Sequence, residues 1–431
     1  MQKPLRSTDP KFGALLEKAL RKRQGRAAGV TSVVQEIVQH VRDNGDPALL
    51  RYTEQFDGIR LESRELRVSS KEIEIAFASC EREDIAALEF AAGRIEDFHK
   101  RQIPREVSFT DQAGLKLATR WTPIQSVGLY VPGGQAVYPS SLLMNAIPAR
   151  LAGVERLAMV VPCPGGTLSP YLLAAAKIVG VEEIYKVGGA QAIAGLAYGT
   201  ETICPVDKIV GPGNAFVAEA KRQVFGIVGI DAIAGPSEIL IVADREADPS
   251  WIAIDLLSQA EHDKDAVCTL ITDDLSFARA VEQNILDHLT RLERADIARE
   301  SWEKNGITIV VDDLLDSAIL INRLAPEHVE VALENPDPLL KRIKNAGAIF
   351  IGRYTPEAVG DYVAGPNHVL PTARSARYSS GLSVVDFCKS TNLIECDASS
   401  LRAVAEYGIT LAKREGLEAH AKSLAIRLAD E

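Results

Sequence analysis

Between Ser126 and Gly352 the chain alternates short apolar runs with amphipathic stretches, and few folds tolerate that rhythm. The first set of runs is SVGLYVPGG, LAMVVPC, EIYKVGG and DKIVGPG, with helices expected over 139–152, 168–179, from 190, and 214–224. The second set is EILIVA, AVCTLIT, GITIVV, VEVAL and GAIFIG, with helices expected over 248–261, 275–294 and 313–323. Apolar strands separated by helices of about 10 to 20 residues bury both faces, which implies parallel sheets with helices on each side. The expected fold class is therefore α/β, built from two Rossmann-like βα modules.

The flanks read differently. From Thr31 to about Ile103 the apolar residues keep helical spacing, with Val33, Val34, Ile37, Val38 and Val41 on one face and further helices over 70–80 and 83–101. Val107 to Thr110 and Leu115 to Trp121 alternate on either side of DQAG, as two half-buried strands joined by a turn would. A small N-terminal arm carries a helical stretch from Phe12 to Arg26 whose basic cluster reads as a solvated face. Beyond about Ser380 comes a small, mostly helical tail: a short strand (SVVDFC) and helices over 397–413 and 416–429. It is too small to bury a core alone and must dock on another domain or another subunit.

Lys+Arg 48 against Asp+Glu 59 leaves a net charge of −11, so the average surface field repels phosphate backbones and anionic lipid. Nucleic acid is not an expected partner, and no run approaches the roughly 18 apolar residues of a membrane helix. The N-terminus lacks the apolar core of a secretory signal, which makes cytoplasm the expected compartment. Six cysteines without a C-x-x-C pair read as reduced, mostly buried thiols.

Ligands of open parallel sheets collect at the carboxyl ends of the strands, and Gly133-Gly134, Gly188-Gly189 and Gly211-x-Gly213 each follow a strand. No G-x-G-x-x-G occurs, so a dinucleotide site and plain βα turns both remain open. His40, His99 and His288 lie in charged amphipathic helices and read as solvated or capping. Gln259 and His262 end a helix at i, i+3 spacing, within reach of one ion, or His262 simply answers the helix dipole; Asp255, one turn earlier, is a rival ligand. Glu327-His328 follows Pro326 on a loop leading into VEVAL, either as a surface pair or as a general base with a neighbouring carboxylate. Asp361 and His368 bracket a Gly- and Pro-containing loop after GAIFIG, and Glu415 and His420 flank a break at Gly416.

Taken together, GLYVPGG (128–134), VGGAQAIA (187–194), KIVGPGNAFVAEAKRQV (208–224), AGPSEILIVAD (234–244), DLLSQAEH (255–262), PEH (326–328), GDY (360–362), NHVLPT (367–372) and EGLEAH (415–420) resemble the histidinol dehydrogenase family over nearly the whole chain. The resemblance implies one Zn²⁺ per subunit on Gln259, His262 and Asp361, with His420 supplied across a homodimer. It implies Glu327 and His328 as acid and base, and NAD⁺ contacts at Tyr130, Gln191 and Asn214. It also implies substrate contacts at Ser237, His368 and Glu415 beside His328 and the four metal ligands. The expected reaction is oxidation of L-histidinol to L-histidine through L-histidinaldehyde; a related zinc dehydrogenase of another polar alcohol or diol is the alternative. A two-lobed binding protein would share the βα modules but has no need of PEH or of scattered zinc donors. The expected organisation is an arm (1–28), a first α/β domain (29–125 plus 238–380) with metal and dyad, an inserted Rossmann-like domain (126–237) with the NAD contacts, and a tail domain (381–431) crossing to the partner.

Overall fold

The computed structural model describes residues 4–14, 16–17, 29–133, 138–233 and 235–428. Most of the expected arm helix, and Gly134, lie outside the described residues. What is described of the arm includes an unforeseen strand, β1 (Leu5–Arg6), and Leu16, which is buried in the core beneath it.

Four helices follow, Thr31–Asp57, Ser63–Leu66, Ser70–Ser79 and Arg82–His99, and then the expected hairpin, β2 (Val107–Thr110) and β3 (Lys116–Pro123). Asp111 turns the hairpin by accepting from the N–H groups of Ala113 and Leu115. The strands are not both half-buried as expected: all four residues of β2 are exposed.

The first βα module has β4 (Ser126–Tyr130), β5 (Arg156–Val160), β6 (Glu183–Tyr185), β7 (Lys208–Val210) and β8 (Gly229–Ile230), all parallel, in the order β6-β5-β4-β7-β8. Val127 and Leu129 of β4 face one core with helices Arg82–His99, Pro139–Ala152 and Pro170–Ile178. Tyr130 and the alternate residues of β5 face the other, with helices Thr31–Asp57, Gly189–Tyr198 and Ala215–Val224. The helices of 31–99 thus cover this sheet, not the later one with which 29–125 was expected to group, because their apolar faces match the two faces of β4 and β5.

The second module has β9 (Glu238–Ala243), β10 (Val267–Thr272), β11 (Ile307–Val310), β12 (His328–Ala332) and β13 (Ala348–Ile351), which with β1 make a parallel sheet ordered β1-β11-β10-β9-β12-β13. β9, β10 and β12 are buried along their whole length, as strands covered on both faces must be. The helix expected over 275–294 stops at His288, and a helix that was not expected begins at Ala295. Leu275–His288 closes where Thr290 Oγ1 donates to the Asp287 carbonyl, and a second helix, Ala295–Asn305, buries Ala298 and Trp302.

The tail also departs from expectation. SVVDFC is not a strand: Ser383 and Asp386 cap each other and wind Val384–Phe387 into a 3-10 turn that buries Phe387. The strand comes next, β14 (Cys388–Glu395), antiparallel to β3 in a three-stranded sheet β14-β3-β2. Helices Ala398–Arg414 and Glu418–Ala425 follow, broken at Gly416 as expected. Tyr407, Leu411, Leu417 and Ile426 leave them largely apolar and exposed.

Candidate active site

The two sheets share the same order of succession, and in each the reversal falls between the first and fourth strands. In the first module the crevice opens between the carboxyl ends of β4 and β7, where a parallel sheet binds its ligand. Tyr130 ends β4, and its hydroxyl accepts the Gly189 N–H at 3.2 Å. Burial pushes the Tyr130 phenol up to about 12, so it stays neutral. Asn214 caps helix Ala215–Val224 by accepting from Phe216 and Val217. Gln191 is 1 % exposed, and neither amide atom has a hydrogen-bond partner among the described residues. An orphaned buried amide beside a crevice suits a polar ligand.

In the second module the polar residues gather at the opposite, amino end of the sheet. His328 is the first residue of β12 and lies beside Ile239, so it opens a strand, while Glu327 stays on the expected loop just before it. Ala325 makes this possible by adopting φ 44° after helix Ser317–Leu324, which turns Pro326 and Glu327 into the sheet. Helix Pro249–Ala260 runs back from β9 and delivers Gln259 and His262 to the same end, with Gln259 Nε2 3.2 Å from His262 Nδ1. Asp361 sits on helix Glu357–Tyr362, again where a loop was expected.

His328 is the centre of this group. Its Nδ1 faces the Glu238 carbonyl and Gln259 Oε1, each at 3.1 Å, so Nδ1 carries the hydrogen and Nε2 keeps a lone pair. That Nε2 is buried and has no partner among the described residues. Burial lowers the imidazole to about 4, opposed by the nearby Asp361 carboxylate, while His368 and His262 push the same way as burial. Glu327 Oε2 accepts the Glu238 N–H at 3.0 Å. Burial, with Glu238 and Asp361 nearby, holds its carboxyl well above the usual range.

His368 comes from the long segment that joins the modules. Its Nδ1 donates to the Asp361 carbonyl at 3.0 Å, and its Nε2 lies 3.4 Å from the Ser141 hydroxyl at the start of helix Pro139–Ala152. The site therefore lies where the amino end of one sheet meets the first turn of a helix leaving the carboxyl end of the other. Asn367, beside His368, donates to the Met144 carbonyl and faces His99 Nε2 at 3.4 Å. His99 is fully buried, not solvated, because it anchors this segment. His288, by contrast, caps as expected, meeting the Ser250 hydroxyl at 2.9 Å. Ser237 immediately precedes Glu238, and its carbonyl accepts from Val267.

Glu415 and His420 stand apart from this cluster. Both are exposed and line a groove between the two tail helices, and among the described residues no hydrogen bond or ion pair joins either to Gln259, His262 or Asp361. Three buried carboxylates escaped the sequence reading: Glu238, Glu330 and Glu357, each no more than 3 % exposed. Glu357 Oε1 lies 3.0 Å from His328 Nδ1, and its N–H donates to Glu330 Oε1 at 2.6 Å. His328, Glu357 and Asp361 bring donor atoms within 4.8 Å of one another, a grouping that shares Asp361 with the expected metal set. A carboxylate in the middle of the apolar run VEVAL, and Glu357 and Asp361 at i, i+4, were the available signals.

The sequence profile of the family described as Histidinol dehydrogenase matches residues 20–428. Histidinol dehydrogenase of Rhodospirillum rubrum is 58% identical over 420 residues, covering 97% of this chain and 96% of the relative. That of Agrobacterium fabrum is 56% identical over 402 residues, 93% of each. The crystal structure of histidinol dehydrogenase from Elizabethkingia anophelis superposes with a TM-score of 0.92 at 35% identity, covering 96% of both chains. A profile match over residues 20–428, with relatives at this identity and coverage, means that the chain belongs to the histidinol dehydrogenase family.

Proposed function

We propose that the protein is a zinc-dependent, NAD-linked dehydrogenase that oxidises L-histidinol through L-histidinaldehyde to L-histidine, the last step of histidine biosynthesis. The observation that carries this reading is the bare, buried Nε2 of His328, a neutral base whose other nitrogen is already committed to a carbonyl. His328 accepts the hydroxyl proton as hydride leaves the carbon. Glu327, anchored by the Glu238 N–H, directs water to the aldehyde for the second oxidation.

Gln259, Asp361 and His262 offer two oxygen donors and one imidazole, a set that suits zinc, and the contact between the Gln259 and His262 side chains supports the reading. These residues would hold the ion, with His420 of the partner subunit completing the set. Bound there, zinc would fix the substrate's nitrogens and so orient the carbinol carbon. NAD⁺, the hydride acceptor, would lie in the β4/β7 crevice against Tyr130, Gln191 and Asn214. Ser237, His368 and Glu415 would complete the substrate contacts, Glu415 again across the dimer. The exposed apolar residues of the tail helices support a homodimer, since an uncovered face of this kind calls for a partner. No helix among the described residues is long and apolar enough to cross a membrane.

Steady-state turnover tests the reading. Histidinol should be oxidised with a kcat/KM at least about a hundredfold above simple diols, and chelation should abolish the activity until zinc is restored. Equal turnover of diols would favour the alternative of a zinc dehydrogenase for another polar alcohol.

A further inference from the structure

The turn after β7 is held by an unusual device. Lys221 of helix Ala215–Val224 and Asp231, just after β8, form an ion pair in which the side chains are 2 % and 6 % exposed. Both ends of the pair are aimed at a single residue. Asp231 Oδ2 accepts the Gly211 N–H at 2.7 Å, and Lys221 Nζ donates to the Gly211 carbonyl at 3.0 Å. Asp231 Oδ1 also accepts the Ala232 N–H at 2.6 Å. Gly211 needs holding. Its φ is 113°, a region that favours glycine, and a Cβ there would stand 2.0 Å from the Tyr130 carbonyl oxygen. Tyr130 and Asn214 therefore flank a backbone contact that only the clamped glycine allows. Apolar residues of similar volume would stabilise the interior as well as a buried ion pair does, so the charges are better explained by what they orient than by stability.

We propose that Lys221 and Asp231 are positioning residues for the dinucleotide: by gripping both polar groups of Gly211, they fix the crevice between Tyr130 and Asn214. The proposal rests on NAD⁺ occupying that crevice. Neither side chain touches the cofactor, and their effect is on its affinity, not on the chemical steps.

K221M/D231N removes both charges together, so no buried charge is left unpaired. Isothermal titration of the zinc-loaded protein with NAD⁺ should show Kd raised about tenfold. Kinetics should show KM for NAD⁺ raised about as much, with kcat and KM for histidinol within about twofold of wild type. A folded double variant with wild-type NAD⁺ affinity, or one whose kcat falls while that affinity is kept, overturns the proposal. If the double variant does not fold, Asp231→Glu serves: it keeps both charges but moves the carboxylate by one methylene away from the Gly211 N–H, and should raise Kd about threefold; unchanged affinity overturns the proposal equally. Gln191→Leu separates this idea from the cofactor placement beneath it. Should Gln191→Leu weaken NAD⁺ binding while K221M/D231N does not, the crevice stands and the clamp falls; if neither weakens it, both fall.

Discussion

His328 and His368 each give Nδ1 to a backbone carbonyl, of Glu238 and Asp361, and His368 turns Nε2 towards Ser141 of the first module. Burial lowers both below the usual imidazole range, so both enter the reaction neutral. Of the two, His328 lacks an Nε2 partner among the described residues, which is why it is the proposed base. In that proposal Glu327 serves the half-reaction that needs water. Glu327→Gln should slow aldehyde oxidation by about 10² or more while alcohol oxidation falls by less than about tenfold, as single-turnover rates with each substrate would show; equal losses would remove Glu327 from the hydration step. Asp255 makes a different prediction. Burial raises it to about 6, so in zinc-free protein its carboxyl favours the folded state below its ordinary pKa, and that contribution is lost as pH rises through 6. Asp255→Asn should therefore raise the melting temperature of chelator-treated protein at neutral pH, with the gain vanishing towards pH 4. Gln259, His262, His328 and Asp361 stand in unusual local settings that leave a structural reading open for each, and only the family resemblance gives them roles. Glu357 in TPEAVGDY reads as a surface carboxylate one turn before Asp361, and only the fold brings it to His328.

Elements carry what residues cannot. The spacing of apolar runs made the strands legible, and the helices over 139–152 and 214–224 fall almost where periodicity puts them. Which end of a sheet hosts the chemistry was not legible, because strand periodicity is the same read towards either end. His328 opens β12, and helix Pro249–Ala260 brings Gln259 and His262 back to that end. The early end at His288 of the helix expected over 275–294 was equally hidden, as was helix Ala295–Asn305, whose Trp302 packs into a core that the local pattern does not contain. Gly211 is the element-scale test. Gly211→Ala puts a Cβ against the Tyr130 carbonyl at a φ that resists side chains, a strain on the order of 1–3 kcal/mol. The variant should melt earlier and bind NAD⁺ more weakly, as thermal unfolding and titration would record; an unchanged protein would mean that the turn relaxes freely.

At the scale of the molecule, the tail explains itself only in company. β14 ties it to β3, yet its helices leave apolar residues exposed and hold His420 and Glu415 apart from the proposed metal donors of their own chain. If the tail reaches across a dimer, inactive His420→Ala and His262→Ala chains should complement when mixed and reassociated, restoring up to about half the wild-type activity per dimer. A proven heterodimer that stays inactive would mean each site is built within one chain. The account as a whole rests on two oxidations at one site, with His328 taking the proton and Glu327 directing the water. The most direct test is the ratio of NADH formed to histidinol consumed. Two NADH per histidinol, with no aldehyde trapped by semicarbazide, is the expected result; one NADH with free aldehyde released would contradict it.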